Sequence, residues 1–261
     1  MNYLQAYYTD VGTTRKVNQD SIALLKAQTH FGEVLLAVLC DGMGGHSAGE
    51  LASKYCIQRF SDWFKLDFPS LLYENMSAQS LKASWTELVN DINLKLAAYG
   101  KRHKIDLGST LTAILFCHNE YYVAHEGDSR GYEISPSGVR QITKDQSYVA
   151  DQVDKGLMQP REAQNSAHKN YLLECMGITF HVNMLFFHGQ IQEQATYILC
   201  SDGFWHHLKD GDLERYLSSR IVRNCQTARM HLNFLVEQVK MRGEKDNISA
   251  IAVIPTMLET D

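Results

Sequence analysis

Apolar residues recur along this chain in two rhythms, and each rhythm predicts a type of element. Ser21 to Ala27 and Glu33 to Cys40 are apolar runs joined by Gln28-Thr29-His30-Phe31-Gly32, a pattern that predicts an antiparallel pair. Ser109 to Cys117 and Glu120 to Glu126 predict a second hairpin, turning at His118-Asn119. Ala195 to Ser201 and Asn247 to Ile254 read as further strands. The helical rhythm appears from Ser47, where Glu50 completes a capping box and Ala52, Cys56, Phe60 and Trp63 follow at helical spacing. A longer helix spans Ser77 to His103, with Leu81, Trp85, Leu88, Ile92, Leu96 and Tyr99 on one stripe. Asp145 to Gln164 reads as a polar, loosely patterned helix. Leu232, Leu235, Val236 and Val239 mark one that stops near Gly243. Long helices interleaved with paired strands predict an α+β fold of sheets packed on each other and covered by helices.

Composition narrows the functional classes. Twenty-five Lys and Arg against 30 Asp and Glu give a net charge of −5, without the basic excess of a nucleic-acid or anionic-membrane binder. A chain 44% hydrophobic and 21% charged forms a core, and its four prolines mark no linker. Met1 to Asp10 lacks a basic start and an apolar run, so no signal peptide is expected, and no segment reaches the ~18 apolar residues of a membrane span. The six cysteines form no CxxC pair and read as reduced thiols in a cytoplasmic protein.

The chemistry lies in where the aspartates fall. Three strand-like runs end in Asp41-Gly42, Gly127-Asp128 and Asp202-Gly203, while Asp20 and Asp246 each stand immediately before a strand. In an antiparallel sheet the start of one strand lies beside the end of its neighbour. Asp20 and Asp41 should therefore meet at the open end of one hairpin, and Asp202 and Asp246 should meet if their strands pair. Any single Asp-Gly marks a turn more often than a metal site. Five such acids at one sheet edge repel one another unless cations neutralise them, and an all-oxygen set favours Mg²⁺ or Mn²⁺ over zinc.

These segments resemble the metal-dependent serine/threonine protein phosphatases of type 2C, the PPM family, in particular its single-domain bacterial members. The matching residues occur in family order: Asp10-Val11-Gly12 with Arg15 and Asn18-Gln19-Asp20; Asp41-Gly42-Met43-Gly44-Gly45-His46 with Gly49-Glu50-Leu51-Ala52-Ser53; Gly108-Ser109-Thr110; Gly127-Asp128-Ser129-Arg130; Ser201-Asp202-Gly203; and Asp246-Asn247-Ile248. The resemblance implies a four-layer α-β-β-α sandwich forming one catalytic domain over 1–256, a flap-like insertion at 144–188 and a short tail at 257–261. It implies two Mn²⁺ or Mg²⁺ ions and a third. Asp41 would bridge the pair, the Gly42 carbonyl would bind one ion, Asp202 and Asp246 would hold the other, and Asp20 would act on the attacking water. Asp128, with Asp202, matches the third position, and Arg15 would grip the substrate phosphate. The implied partners are a phosphoprotein substrate and a serine/threonine kinase or its targets, with no nucleic acid, no membrane and a monomeric state.

Three departures from the family stand out. Gln19 replaces a frequent Glu, and an amide is a poorer direct ligand. Met43 stands where eukaryotic members place a proposed general-acid His; His46, three residues on, takes either that role or a structural one in the loop. From Lys144 to His188 the match is loose, with Asp145-Gln146-Ser147 for the usual Asp-His-Ser and Lys169-Asn170 for an Arg-Asn run. Other motifs dissolve on inspection. Gly42, Gly44 and Gly45 lack the last glycine of a dinucleotide loop, no Walker or kinase sequence is present, and Cys225 to Arg229 is too short for a cysteine-phosphatase loop. His206-His207 are adjacent, so they point apart and read as structural. The functional expectation is an enzyme hydrolysing phosphoserine and phosphothreonine. The alternative is an inactive relative serving as a binding module, which would have lost ligand acids; every one is present.

Overall fold

Every side chain from Val34 to Cys40 is buried, which explains why this run lacks the two-residue alternation of a half-exposed strand. Val34, Leu36, Val38 and Cys40 enter one apolar cluster, while Leu35, Ala37 and Leu39 enter another on the opposite face. A strand covered on both faces reads as a continuous apolar run. The computed structural model describes residues 1–30, 32–45, 48–179 and 181–256.

The strands are β1 (Asn2–Asp10), β2 (Asp20–Thr29), β3 (Gly32–Gly44), β4 (Leu107–Ser109), β5 (Leu111–Cys117), β6 (Glu120–Glu126), β7 (Arg130–Ser135), β8 (Gly138–Gln141), β9 (Leu185–Gln190), β10 (Thr196–Cys200) and β11 (Ile248–Thr256). The helices are α1 (Ala48–Leu66), α2 (Phe68–Tyr73), α3 (Ala78–His103), α4 (Tyr148–Asp154), α5 (Pro160–Gln164), α6 (Asp202–Trp205), α7 (Asp212–Leu217) and α8 (Cys225–Met241). One sheet runs β1-β11-β10-β7-β8. The other runs β2-β3-β5-β6-β9, with β4 paired to the end of β3.

Three apolar clusters stack these parts into the expected α-β-β-α sandwich. Between the sheets lie Leu35, Leu39, Phe116, Val123, Tyr197 and Ile251. On the outer face of the second sheet, Phe60 and Trp63 of α1 and Trp85 and Ile92 of α3 cover Leu36 and Val38. On the outer face of the first, Leu232, Leu235 and Val239 of α8 cover Ile198 and Ala250. Trp85 is fully buried, so truncation to Ala costs about 3–5 kcal/mol.

Both expected hairpins form. His118 and Asn119 each adopt positive φ, as a two-residue turn of the primed type requires. Ser77 caps α3, and Ser80 completes its capping box. The stripe of α3 is buried as far as Leu96; Tyr99 is exposed and stacks on His103. Asp145 to Gln164 is not one helix but two short ones, because Gly156 turns the chain at φ +70° and Pro160 opens α5. The first strand, β1, adds to the expected elements, pairing with β11 from Asn2↔Thr256 to Asp10↔Ile248. The capping contact expected of Ser47 and the tail 257–261 lie outside the described residues.

Candidate active site

Asp20 and Asp41 are direct cross-strand partners, at the first position of β2 and ten residues into β3. The backbone around Asp41 is clamped by the Gly108-Ser109-Thr110 segment: Asp41 N donates to Thr110 Oγ1 at 2.9 Å, and Thr110 N donates to Asp41 O at 2.9 Å. Gly42 N donates to Gln19 O at 3.1 Å. A side chain at Gly42 would meet Gly49 O at 2.0 Å, so only glycine lets α1 approach this corner.

Asp202 and Asp246 come from the other sheet. β10 and β11 pair with Cys200↔Ala250 in register, so the residues just beyond, Ser201 and Ser249, bond at 3.0 Å and carry Asp202 and Asp246 to the same edge. The buried Asn247 fastens this corner to the loop before β2: it accepts from Gln19 N at 2.8 Å and donates to Val11 O and Val17 O. Gly12, at φ +79°, passes so close to Asp246 O that a side chain would lie 2.0 Å from it. Asp20 Oδ2 accepts from Ser201 Oγ at 3.0 Å, linking the acid of one sheet to the strand end of the other. Asp128, in the turn between β6 and β7, is buried, and its carbonyl accepts from Trp205 Nε1 at 3.0 Å.

The five acids act on one another. Burial pushes Asp41 well above the usual carboxylate range, and Asp20, Asp202, Asp128 and Asp246 push it further. Asp202 is raised in the same way, by burial and then by Asp128, Asp246 and Asp20. Burial pushes Asp20 up to about 6 against the hydrogen bonds of Ser249 and Ser201, and burial with Asp145 pushes Asp128 up to about 7. Among the described residues no three Asp, Glu, His or Cys side chains are grouped tightly enough to hold a metal ion as they stand. Two observations fit a hard divalent ion all the same. Asp20 Oδ1 and Asp202 Oδ1 are buried without any hydrogen-bond partner, and buried carboxylate oxygens require a donor or a cation. Every acid of the set also offers oxygen alone, which suits Mg²⁺ or Mn²⁺.

Residues 13–239 match the family model described as Protein phosphatase 2C. The chain belongs to that family. It is 28% identical to the serine/threonine phosphatase stp of Listeria innocua, over 97% of this chain and 96% of that protein. The fold of the S. agalactiae serine/threonine phosphatase superposes with a TM-score of 0.84 at 25% identity, covering 98% of this chain and all of that one. The catalytic domain of the serine/threonine phosphatase PstP, in complex with two manganese ions, gives 0.74 at 29% identity, over 97% and 99% of the two chains.

In this type 2C phosphatase, Arg15 and Asp246, expected to bind phosphate and metal respectively, bond to each other: Arg15 Nη2 lies 2.7 Å from Asp246 Oδ2. His46 lies outside the described residues. Gln19 Nε2 donates to Gly44 O at 3.3 Å, so its amide holds the loop after Asp41. His206 Nδ1 lies 3.7 Å from Asp202 Oδ2, and burial lowers its pKa to about 3. α6 brings His206 round one helical turn, four residues from Asp202, onto the same face.

Sequence reasoning left Arg130 and Ser201 without roles. Arg130 grips Asp145 through Nε and Nη2, donates to Tyr132 Oη and lies 3.3 Å over the Trp205 ring. It thereby ties the start of the 144–184 segment to β7 and α6. A cavity of about 720 Å³ opens beside this knot, with Asp128, Arg130, Val149, Lys169, Trp205 and Lys209 among its walls. The available signals were the Ser before Asp202 and the Arg two residues after Asp128, and neither shows its partner until the sheets meet.

Proposed function

We propose that Asp41, the Gly42 carbonyl, Asp202, Asp246, Asp128 and Asp20 hold the Mn²⁺ or Mg²⁺ ions with which this phosphatase hydrolyses phosphoserine and phosphothreonine in proteins. The observation that carries the reading is the convergence of five aspartates from both sheets, every other one of which acts on Asp41. When bound, such ions neutralise the carboxylates and lower the pKa of water toward neutrality. The remaining work falls to the chain itself. Arg15, on the rim, offers a planar fork that can take two phosphate oxygens once it releases Asp246. Asp20 keeps Oδ2 engaged by Ser201 and presents Oδ1, which can accept the proton of an attacking water.

The same reading extends to organisation and setting. Residues 1–256 act as one catalytic unit with the flap at 144–188, whose last four residues open β9, and the adjoining cavity receives the substrate chain. The protein works as a monomer in the cytoplasm, on targets of a serine/threonine kinase or on the kinase itself. Six free cysteines, five of them buried, agree with a reducing compartment, and among the described residues no helix is long and apolar enough to cross a membrane. A binding module without activity would have no use for acids gathered at such electrostatic cost.

The test is phosphopeptide hydrolysis with Mn²⁺, with chelator, and by Asp202→Asn. Turnover should require the metal and fall on the order of 100-fold or more in the variant, since even changes outside the ligand shell cost 10–100-fold. Full turnover in excess chelator would sink the reading.

A further inference from the structure

The strand β6 ends in Glu126, opposite Leu111 of β5. Side chains alternate along β6: Tyr121 and Val123 enter the cluster between the sheets, and Tyr122 and Ala124 enter the helix-facing one with Leu111 and Met176. Glu126 therefore turns outward from the sandwich interior, into the apolar layer under the helices. It is 0% exposed, and neither of its carboxylate oxygens has a hydrogen-bond partner.

Glu174 lies in the segment between α5 and β9, and its own Oε2 is buried without a partner. Met176, two residues on, pairs with Ser109, two residues before the Leu111 that stands opposite Glu126. The backbone on both sides of Glu174 is anchored: Leu173 N donates to Gln146 O at 2.8 Å, and Met176 exchanges hydrogen bonds with Ser109. Three buried carboxylate oxygens without a donor thus sit on the two segments that flank Ser109 to Leu111. An unpaired carboxylate buried among apolar side chains costs several kcal/mol, and two of them repel, so the arrangement calls for a positive partner. Protein cations do not supply it, because no salt bridge reaches either residue among the described residues.

We propose that Glu126 and Glu174 hold a hard divalent cation of the Mg²⁺ or Mn²⁺ class, at a site separate from the Asp41 centre, clamping the 172–176 segment to the end of β6. Two carboxylates completed by water are an ordinary ligand set for such an ion. The position is distinct from that of Asp128: Glu126 follows Tyr122 and Ala124 onto the helix-facing side of β6, and Gly127 turns the chain at φ +106° before Asp128.

The experiment counts Mn²⁺ equivalents by calorimetric titration of the full chain, comparing the unmodified protein with Glu126→Gln and Glu174→Gln. Each variant should bind one equivalent fewer, while the remaining equivalents keep their affinity. Equal counts in all three proteins would overturn the proposal and leave the two acids as a neutral pair sharing a proton. Glu174 is half-buried, so its variant carries the comparison if Glu126→Gln fails to fold. As a second readout, the rise in Tm on adding Mn²⁺ should be smaller in Glu174→Gln than in the unmodified protein; an equal rise counts against the site.

Discussion

Arg15 Nη2 lies 2.7 Å from Asp246 Oδ2, so the guanidinium proposed to receive the substrate phosphate is bonded to an acid proposed to hold metal. Arg15 is about half exposed, and such a pair adds little to stability. Its consequence is competition: Asp246 cannot give the same oxygen fully to Arg15 and to a cation. Arg15→Ala should raise KM for a phosphopeptide roughly 10- to 100-fold, the value of one or two charged hydrogen bonds. The same variant should lower the Mn²⁺ concentration needed for half-saturation. Steady-state kinetics and metal titration check both. Unchanged KM with collapsed kcat would mean that Arg15 acts in the transition state alone.

The raised acids set the sign of the pH dependence. In the folded chain Asp20 and Asp128 keep their protons to about 6 and about 7, whereas an unfolded Asp loses its proton near 4. Between those limits the folded state binds more protons than the unfolded one, so stability falls as pH rises. Metal-free protein should therefore show a Tm that declines from about pH 4 to about pH 7. Mn²⁺ binds the ionised acids, so its affinity should climb over the same interval. A metal-free Tm that rises with pH would mean that these carboxyls are not raised.

Asp128 separates two versions of the site. Its carbonyl accepts from Trp205 Nε1, and burial, Asp145 and Asp246 raise its carboxyl. Asp128→Ala should leave two tight Mn²⁺ equivalents while cutting kcat on phosphopeptides. Loss of a tight equivalent would place Asp128 in the main pair, and an unchanged kcat at saturating Mn²⁺ would make it a turn residue.

Ser201 should act through Asp20. Its hydroxyl donates to Asp20 Oδ2 and accepts from Ser249 N at 3.0 Å, so it joins the strand end of one sheet to the acid of the other. Ser201→Ala removes a bond worth about 1 kcal/mol and leaves Asp20 still buried, which raises its pKa further. The acid limb of the kcat profile should move to higher pH, with KM unchanged, and Ser201→Thr should restore it. A limb that stays in place while Tm falls would confine Ser201 to stability.

Much of the site was legible from local signals. The meeting of Asp20 and Asp41 follows from one hairpin, because a turn of fixed length fixes register and register fixes which residues stand opposite. The pairing that brings Asp202 and Asp246 together was legible only as a condition, since nothing local says that β10 chooses β11. The single helix expected over Asp145 to Gln164 failed for a local reason, a glycine turn and a proline that its weak periodicity concealed.

Turn chemistry, strand ends and helical stripes act over a few residues, and they determined the elements, the sandwich and the gathering of aspartates at strand termini. Contacts such as Arg15 with Asp246, 231 positions apart, or Arg130 between Asp145 and Trp205, arise only when both sheets have packed on Leu35, Phe116 and Ile251 and their edges face each other. The burial of Glu126 is decided at the same stage. Its strand position shows which face it takes, but the segment carrying Glu174 joins Ser109, through Met176, only in the folded chain, so the burial of Glu126 has no local signal.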